Sequence, residues 1–340
     1  GEPLRTTIPL GVNTQDFRTT PEDRKAWREK LDIPEDAVVA LYVGRFNVRA
    51  KMNPALMALA LEKAAKRIAR PIYWVNSGHA ETEAAEEVYH TQTAALCPSV
   101  HYRHVDGRPA DVRFSIWSVA DLFISFSDNI QETFGLTPIE AMAAGLPCVV
   151  TDWNGYKDTV RHGLDGFRVP TLAPPPDHGA DLSYAFSNLW LNYDNYVGAA
   201  SQFTAIDYEE AAGAIAILAN NADYRRKLGE NARQRAREVF DWSAIIPQYQ
   251  ELWRELNARR AAAAPEARSS LNPYRPDPFT LFKAYPTAYP DASYVVSLCE
   301  GMDWETAKVL LQSPLAAYSP YNRPTLQEAE TIVAWLTERG

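Results

Sequence analysis

From residue 37 onward the chain alternates short, unbroken apolar runs with longer segments whose apolar positions recur every three or four residues. The runs AVVALYVG (37–44) and CVVTD (148–152) predict buried strands, and IYWVNSG (72–78), 100–105 and 121–126 predict further strands. Between them, 53–70, 81–96, 109–119 and 138–144 predict helices, the first opened by Asn53-Pro54 and the last closed by a left-handed Gly145 ahead of Leu146-Pro147. This β-α-β-α order implies an α/β fold, a doubly wound parallel sheet that binds ligands at the carboxyl ends of its strands.

Past residue 170 the texture changes. Residues 171–203 are proline-rich and then aromatic, an insertion expected to lie on the domain. Its Tyr184, Phe186, Trp190, Tyr193 and Tyr196 are read first as core beneath a long loop, and otherwise as a sugar-stacking platform or a docking surface. Helices are predicted near 208–219 and 223–239, and Ile245, Ile246, Tyr249, Leu252, Trp253 and Leu256 form an apolar stripe at helical spacing. The alanine-rich 258–270 reads as a boundary, so the domain is taken as 1–257 and residues 266–340 as a small, mainly helical extension. That extension holds a helix near 303–312 and another opened by a capping box, Thr325 to Glu328.

Composition narrows the function classes. A net charge of −9 lacks the cationic excess that duplex binding needs, so no nucleic-acid partner is expected. No apolar run approaches the ~20 residues of a transmembrane segment. Cys97, Cys148 and Cys299 have no metal-ligand spacing, and a reducing, cytoplasmic location is the expectation. His101 and His104, three apart on one strand, point to opposite faces and cannot share a metal. His79, after Ser77-Gly78, either lines a cleft or is an ordinary loop histidine.

The candidate chemistry sits at two strand ends. After the first strand come Gly44 and Arg45, and six positions on Lys51. A planar fork and a mobile point charge are suited to gripping a diphosphate. After the strand at 121–126 comes QETFGLTPIEAMAAGLPCVV (131–150), with Glu132 and Glu140 eight positions apart. Thr137-Pro138-Ile139-Glu140 fits a capping box with Thr137 as N-cap. The backbone N–H groups of Thr133, Phe134, Gly135 and Leu136, at a helix start, invite the same anion. A carboxylate such as Glu140 in the first turn suits a ribose diol.

These two stretches, YVGRFNVRAK and ETFGLTPIEAMAAGLPCVV, resemble the carboxyl-terminal donor-binding domain of family-4 (group 1) retaining glycosyltransferases of the GT-B fold. The resemblance covers roughly 8–170 and resumes at about 205–257. It implies that Glu132 lies by the donor sugar's hydroxyls, that Glu140 binds ribose, that Arg45 and Lys51 hold the departing diphosphate, and that Val105 and Asp106 contact the nucleobase. The substrate is then a nucleotide diphosphate sugar; no cofactor and no metal are expected, and the chain has no Asp-x-Asp pair. The family's amino-terminal acceptor domain has no room in the short segment before the first strand, so transfer is expected to need a missing domain or subunit, whose surface the 245–256 stripe would meet. The family's Gly-Gly-x-x-Glu appears as Asn154-Gly155-Tyr156-Lys157-Asp158. The alternatives are a non-catalytic nucleotide-binding scaffold, or an epimerase or phosphorylase on the same architecture.

Overall fold

The computed structural model describes residues 5–263 and, beyond them, 277–281, 283, 290, 292–313, 316 and 324–339. The chain divides into two compact units, Gly1–Ala263 and Ala264–Gly340. In the first, the apolar runs become strands β1 (Val38–Arg45), β2 (Ile72–His79), β3 (His101–Asp106), β4 (Leu122–Ser125), β5 (Cys148–Thr151) and β6 (Gly166–Val169). They form one parallel sheet in the order β3-β2-β1-β4-β5-β6. Helices α1 (Pro21–Lys30), α2 (Ala55–Ala65), α3 (Glu83–Ala95), α4 (Ala110–Ser115), α5 (Leu136–Ala144) and α6 (Tyr156–Thr159) fall between or before them.

Side-chain alternation along β1 sorts the two faces. Val38, Ala40 and Tyr42 point into one core with Met57, Ala58 and Leu61 of α2. Val39 and Leu41 point into the other with Trp27 of α1 and Ile139 and Met142 of α5. Burial on both faces explains why β1 lacks polar alternation, whereas the edge strand β3 is partly exposed. Sequential strands run outward from β1 to β3, and then β4 starts again on its other side. The gap between β1 and β4 at their carboxyl ends is therefore the switch point at which such sheets bind ligands.

The amino ends of the same two strands are clamped by charge. Asp121 Oδ2 accepts the Val39 N–H at 2.8 Å, and the Asp121 N–H returns to the Val39 carbonyl at 2.8 Å. Arg24 and Arg28 of α1 close the carboxylate at 2.8 and 3.0 Å, with the Arg28 side chain only 4% exposed. Burial lowers the Arg28 pKa, and Asp121 opposes that shift.

The insertion is structured, with β7 (Thr171–Leu172), α7 (Ala180–Ser187) and α8 (Tyr193–Ser201), and β7 pairs antiparallel with β8 (Ala205–Ile206). Its aromatics are not core, which corrects the first reading from sequence. Tyr184, Phe186, Trp190 and Tyr193 are exposed, Trp190 by 71%. Their rings pack on each other, Tyr184 against Trp190 and Phe186 against Tyr196, while Val197 and Gly198 of α8 carry the burial. The unit closes with α9 (Tyr208–Asn220), α10 (Ala222–Arg235), a π turn at Ala236–Phe240 and α11 (Trp242–Ala262). In α11 only Ile245 is buried, and Ile246, Trp253 and Leu256 stay exposed.

In the second unit, helices Trp304–Gln312 and Leu326–Arg339 occupy the expected positions. The capping box there forms: Thr325 N–H donates to Glu328 at 2.8 Å and Glu328 N–H to Thr325 Oγ1 at 3.2 Å. Most of the alanine-rich boundary from 264 on lies outside the described residues. No helix among the described residues is long and apolar enough to cross a membrane.

Removing one partner of a buried pair leaves the other charge uncompensated, at a cost of about 3–5 kcal/mol. Asp121→Asn should therefore lower stability by about that amount in urea unfolding, because it strands Arg28. An unchanged unfolding midpoint would show that water replaces the carboxylate.

Candidate functional site

The loops that follow β1 and β4 meet across the switch point and are tied by side-chain amides. Asn47 Oδ1 accepts the N–H groups of Arg49 and Ala50 at 3.0 and 2.9 Å, folding the β1 loop back on itself. Asn129 Nδ2 donates to the Arg49 carbonyl at 2.7 Å, and Gln131 Nε2 donates to that of Ala50. Behind them, Thr151 Oγ1 donates to the Ser127 carbonyl at 2.6 Å and Trp153 Nε1 to the Asn129 carbonyl at 3.0 Å. None of Asn47, Asn129 or Gln131 was singled out from sequence; the tendency of asparagine to bond backbone two residues on is the one available signal.

This lacing brings Lys51 to Glu132. The ammonium stands 2.6 Å from Oε2, and Glu132 is only 8% exposed. The sequence reading assigned the two residues to different parts of a ligand; they are direct partners. Buried Tyr42, whose pKa is raised by desolvation and then by Glu132, packs beneath, and its hydroxyl occupies the space a Cβ on Gly44 would need. Arg45 is exposed at the end of β1, and its guanidinium has no hydrogen bond or ion pair among the described residues.

The motif helix starts earlier than its capping box predicts. Gly135 is the N-cap at φ 82°, α5 begins at Leu136, and Thr137 lies inside the first turn. Only glycine enters this left-handed turn without strain, and a Cβ there would meet the Tyr156 ring at 2.2 Å. Glu140 therefore sits too far along the helix to reach back to a cap N–H, and it accepts no hydrogen bond among the described residues. Its pKa is raised by desolvation, against a lowering influence from Arg113. The N–H groups of Thr133, Phe134, Gly135 and Leu136 have no protein acceptor among the described residues, as expected of a helix start. Gly155 lies flat against this turn, where a Cβ would fall 2.3 Å from Phe134 Cα.

At the other side of the switch point Val105 is partly buried against the α1/α5 core. Asp106 is held by its neighbour Arg108 through paired bonds of 2.9 Å, which keep its carboxyl below the usual range. His79 pairs in register with Arg45. His101 stacks on Tyr73 and His104 on His90, so the two do point apart as expected.

Sequence reasoning also missed Asp128. It is 5% exposed, its Oδ1 has no partner, and desolvation raises its pKa to about 7. It lines a cleft of about 470 Å³ with Arg49, Asn53, Asn195, Gln202 and Thr204. The insertion thus reaches the back of the Lys51 loop, where Gly198 is packed on Arg49 at a spacing of 3.1 Å for a Cβ.

Residues 23–175, which include both strand ends, match the family model for Glycosyl transferases group 1. The segment is a group 1 glycosyltransferase domain. Among relatives of this glycosyltransferase domain, D-inositol 3-phosphate glycosyltransferase 2 of Catenulispora acidiphila is 30% identical over 239 residues, 68% of this chain and 53% of that protein. The D-inositol 3-phosphate glycosyltransferase of Streptomyces bingchenggensis is 30% identical over 230 residues, 66% of this chain and 49% of that protein. The chain spans about half the length of these curated relatives. In fold, the glycosyltransferase domain is similar to sucrose-phosphate synthase of Thermosynechococcus elongatus, with a TM-score of 0.51 at 24% identity over 74% of this chain and 52% of the other. Against Anabaena HepE, solved in complex with UDP and glucose, the TM-score is 0.52 at 19% identity, covering 74% and 56%. The sheet is one half of a GT-B fold.

Asp128 gives the glycosyltransferase domain a pH signature. Its native pKa near 7 lies above its unfolded value of 3.8, so the native state holds the extra proton between those limits and stability falls as pH rises from about 4 to 7. Asp128→Asn should be more stable than the parent by a few kcal/mol above pH 7, with the difference vanishing below about pH 4, in unfolding curves taken across that range. Parallel curves for the two proteins would mean that water already solvates the carboxylate.

Proposed function

We propose that this chain is the donor-binding half of a retaining glycosyltransferase that takes its sugar from a nucleoside diphosphate. The observation that carries the reading is the convergence at one switch point of Arg45, the Lys51–Glu132 pair and the unpartnered N–H groups of 133–136, with Glu140 a turn into the helix they open. Cationic side chains and a helix N-terminus suit a diphosphate; buried carboxylates beside them suit hydroxyls. UDP and glucose in the similarly folded HepE support this class of ligand.

On this reading Arg45, Lys51 and the α5 N-terminus stabilise negative charge as it grows on the leaving diphosphate. Each well-placed donor in such a site contributes about 3 kcal/mol to the transition state. The acceptor attacks on the face the diphosphate leaves, so configuration is retained without a protein nucleophile. Glu132, fixed by Lys51, accepts from the sugar's hydroxyls, Glu140 from the ribose, and Val105 and Asp106 meet the base. With these cations in place the transfer needs no divalent ion. Acceptor recognition comes from a domain or subunit outside these 340 residues, and the chain alone does not turn over.

Calorimetric titration with UDP, GDP and ADP and their sugar conjugates tests the reading. One nucleotide should bind selectively, and Arg45→Ala and Glu140→Gln should each weaken it about 10-fold or more, the loss typical of a hydrogen bond to a charged group. The affinity should be the same in chelator. Binding that ignores both substitutions would place the nucleotide elsewhere, and collapse in chelator would overturn the metal-free mechanism.

A further inference from the structure

Away from the switch point, on the outer edge of the sheet, Glu86 and His90 lie one turn apart on α3 and face His104 of the edge strand β3. One ligand-capable atom from each lies within 4.8 Å of the others. We propose that these three side chains form a binding site for a divalent transition-metal ion of the Zn²⁺ class, which ties α3 to the edge of the sheet.

The first support is an orphaned atom. His90 is 9% exposed, and its buried Nε2 has no hydrogen-bond partner. A buried polar atom without a partner is costly, and a metal ion would satisfy it. The second support is the way two of the three ligands, His90 and Glu86, are held from behind. His90 Nδ1 lies 2.5 Å from the Tyr102 hydroxyl, and in the tautomer that donates from Nδ1 the Nε2 lone pair is free to bind a metal ion. Metal-bound histidines are ordinarily held in this way through their other nitrogen. Glu86 Oε2 accepts the Ala80 N–H at 2.9 Å, while Oε1 remains 4.0 Å from His90 Nε2.

Geometry and donor type select the ion. In a tetrahedral site with bonds of about 2.1 Å, ligand atoms stand roughly 3.4 Å apart. The present spacing closes to that value by side-chain rotation of His104, which is exposed, and of Glu86, which is partly so. His104 now stacks on His90 with centroids 4.2 Å apart, and binding would exchange that stack for two metal–nitrogen bonds. Two imidazoles and one carboxylate favour Zn²⁺, Ni²⁺ or Cu²⁺ over Mg²⁺ or Ca²⁺, and water completes the shell. Because the ion sits outside the transfer site, it is structural: it would hold β3 just before Val105 and Asp106.

Titration of the chelator-treated full chain with ZnCl₂, by calorimetry and by thermal melting, tests this site. The exposed thiol of Cys299 is removed beforehand as Cys299→Ser. One Zn²⁺ per chain should bind, and a hundredfold excess over Kd should raise Tm by roughly 5 °C. His104→Ala and Glu86→Gln should each lower affinity at least 10-fold. His101→Ala should leave it intact, since His101 stacks on Tyr73 on the opposite face. An absence of stoichiometric binding, or binding that is equal in His104→Ala and Glu86→Gln, would overturn the proposal.

Discussion

One carboxylate decides where the cleft can be. By bonding to Val39 and to two arginines of α1, Asp121 holds the amino ends of β1 and β4 in register although the strands pair over only two residues, Ala40 with Leu122 and Leu41 with Phe123. From that fixed end, connections leave to opposite faces, and the strands' carboxyl ends diverge into loops. A parallel sheet without such a clamp would leave its switch point free to close on itself. With it, the loops bearing Lys51 and Glu132 start from known positions, and four side-chain bonds to backbone suffice to set their spacing.

The charge pattern follows from how deeply each group is taken from water. Glu132 is almost fully buried and is matched by Lys51 at 2.6 Å. Glu140 and Asp128 have no such partner, and desolvation raises the pKa of both. Arg45 stays in solvent with its fork unspent. The switch point thus combines one neutralised pair, the desolvated carboxyl of Glu140 and the exposed Arg45, while the desolvated carboxyl of Asp128 lines the cleft beside Arg49. Arg45 attracts an anionic group, whereas the desolvated carboxyls disfavour one and suit neutral hydroxyls instead.

The succession of the first five strands and the turn at Gly135 were legible in sequence because both rest on short-range signals: buried strands read as apolar runs, and glycine marks a turn wherever backbone demands it; β6 was not read from sequence. Local signals also mislead. Thr137 to Glu140 and Thr325 to Glu328 carry the same capping pattern, yet only the second forms, because Gly135 sits one position upstream of α5 and takes the cap with a dihedral that threonine does not favour. The insertion's aromatics looked like core by composition, but burial is decided by what lies opposite, and Tyr184, Phe186 and Trp190 face mainly one another and solvent. Asn129, Gln131 and Asp128 were invisible for a related reason: their roles depend on partners some 80 residues away, or on a wall supplied by the insertion.

The seating of Gly198 against Arg49 gives the insertion a mechanical role. Its helix α8 abuts the same short loop that presents Lys51, and it does so through backbone, where no side chain is available to absorb a displacement. Residues 171–203 are therefore a wedge behind the cation rather than ornament on the surface. A bulkier residue at Gly198 would press on the backbone of the loop that carries Lys51.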